Sequence, residues 1–178
     1  MKLVPTPRFP TMFSRLPFRL LALALFATCA SLLAAGLYIQ HVQGIEPCPM
    51  CILQRYALMV CGAIGLVAGL HNPGRGGQNG YATLLAIAAV AGGGVAARQS
   101  WIQWYPPAVS ECGPGLEYML ERFPLASSLP MIFRGAGDCS VVDWTFLGLT
   151  IANWSFLAFA AILAGLVAYL LQRRTRSA

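Results

Sequence analysis

The stretch RLLALALFATCASLLAAGLYIQ, Arg19 to Gln40, decides the fold. It is apolar almost from end to end, and at 1.5 Å per helical residue it is long enough to cross about 30 Å of hydrocarbon. Three more runs of the same kind follow, about Ile52 to Leu70, Tyr81 to Ala97 and Ala152 to Leu171. Each is continuously apolar, without the alternation of a barrel strand, so the spanning elements read as helices. With 57% hydrophobic and 10% charged residues in 178, the chain has more apolar surface than one soluble core of its size can hide. The fold class is all-α, an integral membrane four-helix bundle.

The net charge of +6 does not point to nucleic acid, because the basic residues gather at the ends of spans and form no stripe with aromatics. Lys2, Arg8, Arg15 and Arg19 precede the first run, Arg75 lies between the second and third, and Arg173, Arg174 and Arg176 follow the fourth. By the positive-inside rule these mark the cytoplasmic side, with both termini there. The expected organisation is a cytoplasmic tail at 1–17, a transmembrane domain at 18–171 and a second tail at 172–178. Spans fall at about 19–40, 52–70, 81–97 and 152–171, and extracytoplasmic loops at about 41–51 and 98–151. A competing reading takes residues 16–35 as a cleaved signal peptide ending near Ala34-Ala35-Gly36, but the apolar run continues through Leu37, Tyr38 and Ile39.

The segment Asn72 to Gly80 reads as a glycine-rich turn that makes the second and third helices antiparallel neighbours. Gly92-Gly93-Gly94 offers a small-residue face for close helix approach. The long loop is too extended for a plain connection. Within it Leu116, Met119, Leu120 and Phe123 recur at helical spacing with Glu117, Glu121 and Arg122 opposite, an amphipathic helix suited to the membrane interface or to the top of the bundle. Trp101, Trp104, Tyr105 and Trp144 suit an aromatic belt.

Four of the six cysteines fall on the extracytoplasmic side, where disulfides are permitted. Glu46-Pro47-Cys48-Pro49-Met50-Cys51 places a C-x-x-C at the mouth of the second helix, whose unpaired N–H groups and dipole favour a thiolate, most of all at Cys51. Arg55 follows Cys51 by one turn on the same face. It either snorkels to the interface or stabilises an anion beside Cys51, such as a quinone being reduced. The second pair, Cys112 and Cys139, lies in glycine-containing stretches, where a bond between them could be a structural staple or a labile, exchanging disulfide. Cys29 and Cys61 sit within spans as small packing residues. No metal site is expected, since only the first pair has knuckle spacing and His41 and His71 would face opposite sides of the membrane.

These residues resemble the disulfide bond formation protein B family, DsbB. The resemblance runs from the first helix to the fourth and rests on Pro47-Cys48-Pro49-Met50-Cys51 with Arg55, on Tyr105-Pro106-Pro107 ahead of Cys112, and on Gly137-Asp138-Cys139 leading to Trp144-Thr145-Phe146-Leu147-Gly148-Leu149 and Trp154-Ser155. It implies a bacterial inner-membrane thiol:quinone oxidoreductase that reoxidises a periplasmic DsbA-like oxidase of the thioredoxin fold. By the same resemblance Cys112–Cys139 exchanges with the partner, most readily through Cys112, and is reoxidised by Cys48–Cys51. Cys51 then abuts a quinone, ubiquinone or menaquinone, with Arg55 beside the ring. One departure is Ile151-Ala152-Asn153-Trp154, where the family pattern leads one to expect a proline near the start of the last helix. The alternatives are a non-enzymatic four-span protein with structural disulfides, a thiol oxidase dedicated to one substrate, and a reductase of the vitamin K epoxide type, whose loop motifs fit less well.

Overall fold

The computed structural model describes residues 17–106 and 139–175. Cys112, the amphipathic segment Leu116 to Phe123 and the amino-terminal tail as far as Leu16 lie outside the described residues. Four helices dominate the rest: α1 (Phe18–Gln43), α2 (Pro49–His71), α3 (Arg75–Trp104) and α4 (Ile151–Thr175). All four are long and apolar enough to cross a membrane. A short antiparallel hairpin, β1 (Thr145–Phe146) and β2 (Leu149–Thr150), precedes α4 and pairs Thr145 with Thr150 and Phe146 with Leu149.

The helices pack in chain order, α1 on α2, α2 on α3 and α3 on α4. Small residues set the close approaches. On α2, a Cβ added at Gly65 would lie 2.9 Å from the Ala22 carbonyl oxygen, and one at Gly69 would lie 2.8 Å from Leu23 Cδ2, so α1 runs directly against this glycine stripe. On α3, the three consecutive glycines divide by face. Gly92 receives the ring of Phe159, and a Cβ there would also lie 2.7 Å from Ala57 Cβ; at Gly93 the nearest atom is Phe159 Cβ at 3.4 Å; Gly94 has open space around it. Cys29 and Cys61 are buried with Leu58, Ala89, Ala96 and Phe159 in the middle of the bundle, where they serve as small packing residues. Outward faces carry Phe26, Leu37, Val60, Ile87, Val90 and Val167, all exposed, the pattern of a bundle solvated by lipid.

Two local features differ from the expectation from sequence. The turn expected over Asn72 to Gly80 is shorter: Asn72 closes α2 in the left-handed region with its N–H donated to the Ala68 carbonyl at 2.9 Å, and helix resumes at Arg75. Gly76, Gly77 and Gly80 are therefore helical, because the chain needs only Asn72, Pro73 and Gly74 to reverse. The segment expected as loop from residue 98 begins as helix, since α3 runs on to Trp104 and carries the exposed Trp101 and Trp104 on its last turn. At the start of α4 no proline is needed. Leu147 (φ 53°) and Gly148 (φ 77°) form a two-residue hairpin turn, and the Thr150 hydroxyl accepts the Asn153 N–H at 3.3 Å as an N-terminal cap.

Gly92→Ala is expected to destabilise the bundle by roughly 1–3 kcal/mol through overpacking against Phe159 and Ala57. Gly94→Ala is expected to leave thermal unfolding in detergent unchanged or slightly raised, because open space surrounds it and alanine favours helix.

Candidate active site

The site is built on the first turn of α2. Gly44 ends α1 in the left-handed conformation (φ 70°), and four residues later Cys48 is the N-cap of the next helix in extended conformation. Pro49 follows at the first helical position, where its missing N–H costs nothing and its fixed φ suits the helix. The Cys48 carbonyl accepts from Ile52 N at 3.1 Å, and its sulfur takes the place of a serine or aspartate oxygen by accepting the Cys51 N–H at 3.4 Å. The C-x-x-C spacing thus folds as one capped helical turn and brings the two sulfurs to 3.0 Å. A movement of about 1 Å would bring them to disulfide distance.

Three further side chains converge on the pair. Gln99, in α3, points its Nε2 at both sulfurs, 3.2 Å from Cys48 and 3.2 Å from Cys51. Its Oε1 accepts from Gln54 Nε2 at 2.6 Å, which fixes which end of the amide faces sulfur. Cys139, fully buried just ahead of the hairpin, packs against Cys48 and Met50. Hydrogen bonds from Cys48 to Cys139 and then to Cys51, with burial behind them, hold the Cys48 thiol well above its ordinary range. The pair is therefore asymmetric, with its proton kept on Cys48.

Below the sulfurs lies a cleft of about 110 Å³. Its walls include Leu32, Leu33 and Ile39 of α1, Leu58 of α2 and Val141 and Val142 ahead of the hairpin; Cys51, Gln54, Arg55, Gln99 and Gln103 are among its polar groups, and the carboxylates Glu46 and Asp143 also line it. Arg55 reaches across to α1, where its guanidinium donates to Gln40 Oε1 and, at 3.1 Å, to the Gly36 carbonyl. Among the described residues no carboxylate pairs with it. The cation is held in place by neutral acceptors and keeps its charge available to the cleft.

Of the residues singled out in the sequence, Cys48, Cys51, Arg55 and Cys139 come together here, and Cys112 lies outside the described residues. Gln40, Gln54 and Gln99 were missed. Gln54 lies three residues from Cys51 and one from Arg55, and Gln99 lies two residues past the end of the third apolar run, in the segment expected as loop. That they meet each other and the sulfurs depends on how α2 packs against α3, which no local pattern records.

The chain matches the family model described as disulfide bond formation protein DsbB over residues 18–169. It is similar to the disulfide bond formation protein B of Azoarcus sp. (strain BH72), 65% identical over 158 residues that cover 89% of this chain and 95% of the relative. It is likewise similar to that of Aromatoleum aromaticum (strain DSM 19018 / LMG 30748 / EbN1), 61% identical over 81% of this chain and 87% of the relative. A third relative of the same description, from Polaromonas sp. (strain JS666 / ATCC BAA-500), is 54% identical over 89% and 94% respectively.

In the reduced protein, alkylation at Cys48 should lag behind that of an ordinary thiol as the pH rises, because the thiol and not the thiolate is held. Cys139→Ala removes the leading hydrogen bond, so the rise should begin at lower pH. Mass spectrometry of the alkylated peptide over a pH series would check both; an unchanged profile in Cys139→Ala would deny the bond its role.

Proposed function

The chain belongs to the DsbB family, which makes it a multi-pass protein of the bacterial inner membrane and a disulfide-forming oxidoreductase, and from that premise we propose that it passes electrons from a soluble thiol oxidase to a membrane quinone. The observation that carries this reading is the position of the C-x-x-C pair between two different surroundings. Cys48 abuts Cys139 on the segment before the hairpin, and both cysteines of the pair also line an apolar-walled cleft into which Arg55 is placed one helical turn beyond Cys51.

A structural staple is poorly supported. Closing a loop between residues three apart contributes only about 2 kcal/mol even in the chain-entropy model, and the helical turn already holds these two together. The basic residues Arg19, Arg75, Arg173 and Arg174 lie at the opposite end of the helices from Cys48, which supports cytoplasmic termini and periplasmic cysteines. Arg173 donates to Asn79 Oδ1 and to the Arg75 carbonyl there.

The relay proceeds by exchange alone. A thiolate of a reduced, DsbA-like partner of the thioredoxin fold attacks Cys112, forming a mixed disulfide and releasing the Cys139 sulfur. Cys139 lies against Cys48 and attacks it, so the Cys48–Cys51 bond breaks, a Cys48–Cys139 bond forms and Cys51 leaves as thiolate. The partner's second thiol resolves the mixed disulfide and frees Cys112, which attacks Cys139 and releases Cys48. The partner has then lost two electrons and two protons, and Cys48–Cys51 has gained them.

The make-up of the cleft supports a quinone ring as its occupant. It pairs apolar walls with a few fixed donors, the usual make-up of a small-molecule site, and its size is comparable to the roughly 150 Å³ apolar cavity that takes a benzene ring. A quinone, ubiquinone or menaquinone, would supply a two-electron, two-proton acceptor there. Cys51 would face it with sulfur, and Arg55 would hold negative charge on its oxygen. The helices α1 and α4 both line the cleft yet make little contact with each other, which leaves a side through which a lipid-borne molecule can approach.

Quinone reduction by the purified protein, with a reduced thioredoxin-fold oxidase as donor, tests the reading. Quinone-dependent turnover should vanish in Cys51→Ser and fall by about 10²-fold in Arg55→Met, the loss typical of one preorganised charge-stabilising donor. Equal, negligible rates for the native chain across donors and quinones would return the cysteines to a structural role.

A further inference from the structure

We propose that Gln99, oriented by Gln54, is a positioning residue that sets the redox poise of the Cys48–Cys51 pair. The inference rests on the reading that this pair is redox-active and extends it to two residues that carry no sulfur and no charge.

Two carboxamides at this depth need a reason. Gln54 is 2% exposed and Gln99 is 3% exposed, both inside apolar helices, where a polar group is costly unless its hydrogen bonds are made. Their bonds are made in one sense. Gln54 Nε2 donates to Gln99 Oε1 at 2.6 Å, and Gln99 turns its Nε2 to the sulfurs, 3.2 Å from each, while its Oε1 also accepts from the Cys51 thiol at a longer 3.7 Å. If only the burial of polar groups were at issue, the two amides could bond each other in either sense. The observed sense delivers a donor to sulfur from α3, added to the Cys51 N–H already directed at Cys48.

A donor aimed at sulfur does not act equally on the two redox states. It bonds strongly to an anionic sulfur and weakly to a disulfide sulfur, so it stabilises the reduced pair relative to the bonded one. Stabilising the reduced form makes a dithiol couple more oxidising. Gln99 therefore raises the oxidising power of Cys48–Cys51 toward Cys139. Being an amide it does so without a proton of its own, so this contribution does not change sign or vanish within the working pH range.

The test is the equilibrium of Cys48–Cys51 with a dithiol buffer such as dithiothreitol in detergent, in a Cys112→Ser, Cys139→Ser background that isolates the pair. Reduction breaks the Cys48–Cys51 bond and takes two electrons and two protons from the buffer dithiol, which closes its own disulfide. No quinone or protein partner is needed. Gln99→Met, close in volume and without the donor, is expected to shift the equilibrium about tenfold toward the disulfide, which is about 30 mV for a two-electron couple. Gln99→Glu, read at a pH where its carboxyl is ionised, keeps the acceptor for Gln54 but loses the donor and should shift the same way or further. Gln54→Met frees the amide to turn and should give a smaller shift in that direction. Equilibria within twofold of native for Gln99→Met and Gln99→Glu, in protein whose helical content and thermal unfolding match native, would overturn the proposal. Should Gln99→Met fail to fold, Gln99→Glu and Gln54→Met decide it by the same criterion. If the native pair itself does not exchange with the buffer, the redox reading fails first, and the two failures are thereby told apart.

Discussion

A helix that begins at the edge of a membrane has backbone N–H groups that lipid cannot satisfy, and the first turn of α2 answers that demand with sulfur. Pro49 removes one donor, Cys48 accepts another, and the same turn that caps the helix brings Cys51 beside Cys48. Structure and chemistry share one set of atoms here. A residue that only capped the helix could be serine, and a cysteine that only reacted could sit on any loop. Under the proposed function Cys48 does both, and the geometry of the pair is as well determined as the start of the helix itself.

From that turn the surroundings differ in each direction. Toward the hairpin, Cys48 meets a third buried sulfur, Cys139. Toward the bundle, Gln99 and Gln54 join α3 to α2. Toward α1, Arg55 is tied to Gln40 and the Gly36 carbonyl. The three connections come from three different elements, so the site also fastens together the end of a bundle whose middle is held by apolar packing around Leu58 and Phe159.

The four spans were legible in the sequence because hydrocarbon imposes a length and a composition that a sliding count detects. The capped turn at the mouth of α2 was legible because Cys-Pro-Met-Cys is local, and the helix it opens follows at once. What depended on packing was not. The sequence does not say that a glutamine in the third span faces the cysteines of the second, since that depends on the rotation of α3 about its axis. Nor does it distinguish Gly92, which receives Phe159, from Gly94, which faces open space two residues later. The turn at Asn72 was misread for the opposite reason: glycines signal a break, yet three residues sufficed to reverse the chain and the remaining glycines joined α3.

Packing in chain order has a consequence for how the protein is made. Each helix finds its main partner in the one synthesised immediately before it, and two of the three pairings join helices separated by only a few residues. A topology of low contact order assembles quickly and needs no late segment to complete an early one. The first three helices can therefore form their mutual contacts, with Gln54, Gln99, Cys48 and Cys51 already in register, while the fourth is still emerging. The arrival of α4 then completes the wall of the cleft around a sulfur pair whose geometry is already set.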